Sequence, residues 1–275
     1  MIWPFKTPAR KKIARIEITG AIAGNTRKTV LKALKTVKEK KFPALLLRID
    51  SPGGTVGDSQ EIYFALKELS QTVKIVASFG NISASGGVYI GMGCPQIMAN
   101  PGTITGSIGV ILRGNNLERL LEKVGVSFQV IKSGPYKDIL SFDRELLPEE
   151  KTILQDLIDD SYQQFVETVA DARNLPVDQV KSFADGRIFT GQQALALGVV
   201  DRLGTEADAQ RWLAELAGLD PEKTECQTIE DPKPLLRRFT SSQRPNGAIA
   251  NTLDWWEFEL ATSGQPLWLY RPYSR

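Results

Sequence analysis

An α/β fold with a mainly parallel sheet covered by helices is predicted by three features of the sequence. Strand-like segments alternate with segments whose apolar residues recur at helical spacing. The stretch from Ala44 to Ile49 is almost unbroken apolar chain, as in a strand buried on both faces of a parallel sheet. At 275 residues the chain can bury the large core that such a sheet needs.

Taken in order, Ile13 to Thr19 reads as the first strand, and Val30, Leu31, Leu34 and Val37 mark a helix over Thr26 to Lys38 with Asn25 as its cap. The Ala44 to Ile49 strand runs into Ser51-Pro52-Gly53-Gly54, and the next helix carries Ile62, Ala65, Leu66 and Leu69 on one face. Val73 to Ser78 is a strand, Gly80 to Ala84 a turn into a helix that starts near Ser85, and Gln96 to Ala99 a short strand. Leu117, Leu120, Leu121 and Val124 indicate a helix, and Phe128 to Ile131 a strand. Leu154, Leu157, Ile158, Phe165 and Val169 form the buried stripe of a long helix. A helix follows over Ala207 to Leu216, and Asp231 to Arg244, rich in Pro, Arg and Ser, reads as a linker. The tail carries Trp255, Trp256, Phe258, Trp268, Tyr270 and Tyr273, too much aromatic area to leave in water, so it is expected to dock. These patterns divide the chain into a basic segment 1–12, a main domain 13–218, and a linker with aromatic tail 219–275.

Composition narrows the chemistry. A net charge of +2 argues against a nucleic-acid partner. Cys94 and Cys226 stand far apart without neighbouring thiols, which suggests packing residues and neither a disulfide framework nor a metal site. The sequence holds 0 histidines, so the usual general base of hydrolases is missing and proton transfer falls to Lys, Asp, Glu, Tyr or a terminus. No stretch approaches the roughly 18 consecutive apolar residues of a spanning helix. Met1 to Phe5 is too short for a signal-peptide core and its basic residues follow it, so the expectation is a soluble chain, cytoplasmic or peripheral on a membrane. Lys6, Arg10, Lys11 and Lys12 behind that apolar start suit either a solvated terminus or a contact with an anionic membrane surface.

Two constellations can carry chemistry. The Ser51-Pro52-Gly53-Gly54 loop ends a buried strand with two residues that lack side chains. Such a loop can bind an extended peptide or aim an amide at an oxyanion, and it also suits a plain tight turn. In Asn81-Ile82-Ser83-Ala84-Ser85-Gly86-Gly87-Val88-Tyr89, a serine at a strand-to-helix junction has an accessible hydroxyl near free N–H groups. Ser85 is the better nucleophile; Ser83, or Ser85 itself, could instead serve as an N-cap. Without histidine the natural base is a lysine whose pKa falls from about 10.4 to about 8 in a dry site, at a cost of about 3 to 4 kcal/mol. Lys137, in Ser133-Gly134-Pro135-Tyr136-Lys137-Asp138, follows a strand and a turn where loop residues can face a cleft. Spacing alone leaves Lys132, Lys137 and Lys74 open.

The runs Ile49 to Gly54, Ala84 to Ile90, Thr105-Gly106-Ser107-Ile108-Gly109-Val110, Ser133 to Asp138, and Ala184 to Gly191 stand in the order found in the signal peptide peptidase A (protease IV) family. Over about residues 12 to 215 the chain resembles the short, single-unit form of that family. The resemblance implies the fold of the Clp protease and crotonase superfamily, with Ser85 as nucleophile, Lys137 as general base and Ser107 as a hydroxyl that helps hold the lysine. It places oxyanion donors at Gly53 or Gly54 and at Gly86, and it requires no metal and no cofactor. It further implies a homo-oligomeric ring in which Ser85 of one chain meets Lys137 of its neighbour, acting on residual signal peptides and other small or membrane-derived peptides. The chain departs from many members in lacking an N-terminal span and in having Val88 where an aromatic is common. The histidine-based mechanism of Clp protease itself is excluded. A crotonase-type acyl-coenzyme A enzyme and a non-catalytic scaffold of the same fold are the alternatives.

Overall fold

A computed structural model describes residues 12–229 and 265–270. The chain runs β1 (Ile13–Thr19), α1 (Gly24–Glu39), β2 (Ala44–Ser51), β3 (Gly53–Thr55), α2 (Val56–Leu69), β4 (Lys74–Ala84), α3 (Gly86–Gly91), β5 (Gln96–Ala99) and β6 (Ile104–Gly106). It continues with α4 (Glu118–Val124), α5 (Pro148–Arg173), α6 (Val177–Lys181), β7 (Ile188–Thr190), α7 (Gly191–Ala196), β8 (Arg202–Leu203), α8 (Glu206–Leu216), β9 (Cys226–Thr228) and β10 (Leu267–Leu269).

The main sheet has the order β7-β6-β4-β2-β1-β9 and is parallel except for the β6–β7 pair. The long strand β4 serves two neighbours. Its first half pairs with β5, which in turn pairs with β8, and its last residues pair with β6. The expected double-sided burial is realised residue by residue. Ile16, Ile18, Leu45, Leu47, Ile49, Ile75 and Phe79 pack under α1, α2, α3 and the end of α5. Their alternates Ile13, Ala44, Leu46 and Val76 pack against Trp212 and Leu213 of α8.

Several local expectations are corrected. Helix α1 begins at Gly24, with Ala23 in extended conformation at the N-cap, so Asn25 lies inside the first turn. The stretch from Gly80 to Ala84 is not a turn: β4 continues to Ala84, because Ile82, Ser83 and Ala84 find partners in β6. Phe128 to Ile131 form no strand, since no strand of the described chain pairs with them. Leu120, Val124, Phe128, Val130 and Ile131 all face solvent in the single chain. In α5 only the C-terminal half is core: Phe165, Val166, Val169 and Ala170 are buried, whereas Leu157 is exposed.

The body also extends past residue 218, because Cys226–Thr228 add the edge strand beside β1. Trp268 is fully buried, while Trp255, Trp256, Phe258 and Tyr273, like the basic segment before Lys12, lie outside the described residues. Among the described residues no helix is long and apolar enough to cross a membrane, and no group of His, Cys, Asp and Glu is arranged to hold a metal ion.

Candidate active site

The C-terminal ends of β2, β4 and β6 converge, as ligand sites in open α/β sheets generally do. At the end of β2 the register slips between Ile49 and Ser51. The Asp50 carboxylate fills the gap, accepting the backbone N–H groups of Ile82 (3.1 Å) and Asn81 (3.3 Å). Ser51 Oγ donates to the Gly20 carbonyl at 2.6 Å and accepts the Gly53 N–H at 3.1 Å. The loop is thus fixed on both sides before it reaches the glycines.

Both glycines are required by close approach. A Cβ on Gly54 would lie 1.9 Å from the Ile22 carbonyl oxygen, a backbone atom that cannot yield. Gly53 has φ of 102°, and a Cβ there would meet the Trp268 carbonyl oxygen at 2.0 Å and Gly86 N at 2.7 Å. Gly54 is therefore packed against its own fold, whereas Gly53 is bare where a second strand and the α3 start come together. The Gly53 N–H is committed to Ser51, and Gly54 stands opposite Trp268 in the pairing of β3 with β10.

Ser85 sits between β4 and α3 with φ 53° and ψ −114°. This conformation costs a residue with a side chain about 1 to 3 kcal/mol. Its N–H donates to the Gly106 carbonyl at 2.8 Å, which ties the junction to β6. The competing N-cap reading is answered directly: Ser85 occupies the N-cap position of α3, yet its side chain caps nothing. Its Oγ is buried and has no hydrogen-bond partner, and the same holds for Ser83. Ser107 follows Gly106 at the end of β6, also with positive φ (52°), and its N–H donates to the Arg187 carbonyl at 2.8 Å. Since Gly106 pairs with Ala84, the structure brings Ser85, Ser107, Gly54 and Gly86 together.

Lys137 is not among them. It lies exposed on a turn, its N–H donating to the Gly134 carbonyl at 3.3 Å, and among the described residues no hydrogen bond joins it to Ser85 or Ser107. The rival lysines fare worse as bases for Ser85. Lys74 starts β4, about 35 Å along the strand from the serine at about 3.3 Å per strand residue. Lys132 is ion-paired with Asp138 at 2.6 Å.

Sequence reasoning missed how firmly the Lys137 turn is anchored. Arg144 bridges Asp138 (2.9 Å) and the fully buried Glu150 (2.6 Å), which also accepts the Leu147 N–H at 2.9 Å at the start of α5. The Arg144 hydrogen bond, helped by that N–H, holds the Glu150 carboxyl down at about 2. Arg144 and Lys132 likewise hold Asp138 well below the usual carboxylate range. Such lowered carboxyls stabilise the turn at pH values above their unfolded range, near 4, and that contribution is lost as pH falls toward 2.

Sequence reasoning also did not locate the tail. Strand β10 pairs antiparallel with β3 in the register Leu267–Thr55, Trp268–Gly54 and Leu269–Gly53. The Trp268 indole stacks on Tyr89 at 4.0 Å and contacts Phe165 at 4.8 Å. Its Nε1 is buried without a partner. Burying about 200 Å² of indole contributes about 5 kcal/mol, which outweighs the cost of an unpaired N–H, about 1 to 3 kcal/mol. A surface cleft of about 760 Å³ lies between Val110–Asn116 and the first turns of α5.

Comparison with known proteins agrees with this architecture. The chain is 76% identical over 277 residues to a provisionally named protease of Synechocystis sp., covering 98% of this chain and 100% of that protein. It is 37% identical over 214 residues to a provisionally named signal peptide peptidase SppA of Enterococcus faecium, where it spans 73% of this chain and 62% of the relative. Among solved structures, a ClpP1 mutant from Listeria monocytogenes superposes with a TM-score of 0.51 at 16% identity, covering 71% of this chain and 94% of that one. A mutant form of a membrane-bound stomatin-specific protease gives 0.56 at 14% identity, covering 81% and 99%. These two share the ClpP-like fold with this chain. The profile of peptidase family S49 matches residues 67–220, a span that holds Ser85, Ser107 and Lys137, and the chain belongs to that family.

Proposed function

We propose that this protein is a serine endopeptidase in which Ser85 is the nucleophile and Lys137 the general base. The observation that carries the reading is the Ser85 junction. A serine is held in a costly backbone conformation at an N-cap position it does not use, its hydroxyl unpartnered, beside Gly54 and Gly86. Ser85 Oγ attacks the scissile carbonyl carbon while its proton passes to the neutral amine of Lys137. Negative charge gathers on the carbonyl oxygen, where the Gly54 and Gly86 N–H groups are already fixed to receive it. Lys137 then returns the proton to the leaving amine, and water, deprotonated by the same lysine, releases the acyl group from Ser85. Ser107, next to Ser85 across the β4–β6 ladder, steadies the lysine. The scheme calls on no metal or cofactor.

A lysine works as a base only where water is kept from its ammonium. Lys137 is exposed in the single chain, and the apolar side chains of Leu120, Val124, Phe128, Val130 and Ile131, in the segment that leads to it, are uncovered. A ring of subunits supplies both needs: a neighbour covers this face, and Lys137 reaches the Ser85 site of that neighbour. The substrates are extended peptides, including residual signal peptides and other small or membrane-derived peptides.

Two experiments test this reading. A fluorophosphonate is expected to add once per chain at Ser85, seen by intact mass and absent in Ser85→Ala. An unlabelled wild-type protein would favour the acyl-coenzyme A enzyme or the scaffold. Mixing inactive Ser85→Ala with inactive Lys137→Ala protein is expected to restore part of the activity, since some interfaces then pair an intact serine with an intact lysine. Subunits that exchange with no return of activity would place the dyad within one chain.

A further inference from the structure

Strand β10 is hydrogen-bonded along both edges. On one side it pairs with β3, and the pairing continues at either end: the Val56 N–H donates to the Pro266 carbonyl at 3.4 Å and the Tyr270 N–H to the Pro52 carbonyl at 2.7 Å. On the other side Leu267 and Ile111 exchange hydrogen bonds, at 2.9 and 3.0 Å. A short extended segment laid between two backbone edges is the way strand-shaped peptides are bound. The main sheet does not include it: β3 and β10 form a separate two-stranded sheet.

The register places Trp268 opposite Gly54, and its carbonyl oxygen comes to the same bare point beside Gly53 that Gly86 N approaches. Its side chain fills an aromatic pocket of Tyr89 and Phe165, and Tyr89 lies on the short helix that Ser85 starts. Beyond it, Leu269 and Tyr270 line a cleft of about 380 Å³ together with Ser107, Ile111 and Arg113. The indole N–H has no partner there, so the pocket satisfies the bulk of a large apolar side chain and not the polar group of this one. Thirty-five residues separate Ile229 from Gln265, enough chain for β10 to leave while β9 keeps its place.

We propose that Leu267–Leu269 is an intramolecular occupant of the peptide groove, with Trp268 in the side-chain pocket beside Ser85, so that the chain holds itself in a blocked form. Substrates must displace it, and they are peptides carrying a large aromatic or aliphatic residue at the position Trp268 takes. The inference rests on Ser85 being the nucleophile. A tethered occupant acts at an effective concentration of up to about a millimolar, so it competes strongly with micromolar substrate.

The test compares the full chain with a chain ending at Gly264 and with full-length Trp268→Ala, using a short fluorogenic peptide with phenylalanine at the cleavage position. Removal of the block is expected to raise kcat/KM about tenfold or more through KM, with kcat little changed. Trp268→Ala should give part of that gain. A synthetic peptide of residues 264–275 should inhibit the shortened chain competitively. The same peptide, labelled with fluorescein, should bind the shortened Ser85→Ala chain by anisotropy, and Trp268→Ala in the peptide should weaken that binding at least tenfold. This last readout needs no catalysis, so binding in a protein without peptidase activity would sink the enzyme reading and leave the occupant standing. The proposal is overturned if both altered chains lose thermal stability with no fall in KM and the peptide does not bind, which is the behaviour of a core strand. Loss of the assembled species with unchanged KM and no peptide binding would equally overturn it, in favour of a strand that ties subunits together.

Discussion

Replacing Ser85 or Lys137 with alanine is expected to lower peptide hydrolysis by about four orders of magnitude or more while leaving the circular dichroism spectrum and Tm close to wild type. Nucleophile and base act as one unit, so the double variant should be no worse than either single one. Lys137→Arg should be as inactive as Lys137→Ala, because a guanidinium keeps its proton at any working pH. The wild-type rate is expected to climb from neutral into mildly alkaline pH, since only the neutral amine accepts the serine proton, and that limb should be missing in Lys137 variants. Near-normal turnover in Lys137→Arg would refute the lysine base, and a rate optimum near pH 5 would point to a carboxylate. The exposure of Lys137 and its anchored turn make its removal structurally mild, so activity and stability should separate cleanly.

Gly54→Ala should be the most damaging single change outside the dyad. Its Cβ would overlap the Ile22 carbonyl at 1.9 Å, with Ile22 N and C both at 2.6 Å, so β3 cannot keep its bridge to Ile22. We expect a stability loss of about 3 kcal/mol or more, and at least about a hundredfold loss of kcat as the amide opposite Gly86 shifts. Gly57→Ala is the control: no atom lies within 4 Å of its Cβ and the residue is in α2, so the variant should be more stable by about 0.5 to 1 kcal/mol with activity retained. Chemical denaturation and single-substrate kinetics on the three proteins measure both quantities. Equal behaviour of the two variants would mean that Gly54 is only a turn residue that the loop can spare.

Much of this protein was determined by its sequence alone. A nearly continuous apolar run such as Ala44 to Ile49, interrupted by Arg48 alone, is the mark of a strand covered on both faces, so the parallel sheet between helix layers could be read directly. The small residues around Ser85, Gly53 and Gly54 also carried their meaning locally, because the backbone there leaves no room for larger ones. Tertiary structure alone decided what each apolar face meets. Leu120, Val124, Phe128 and Val130 have the spacing of core residues yet face solvent in the single chain, because periodicity reports that a face is apolar and not which surface covers it. For the same reason the aromatic tail announced that it would dock without saying where, and its place between Gly53–Thr55 and Ile111 came from backbone hydrogen bonding, to which side-chain identity contributes little. The tie from Asp138 through Arg144 to Glu150 joins charges that in sequence look like an ordinary solvated run; only the burial of Glu150 at the start of α5 turns them into the anchor of the Lys137 turn.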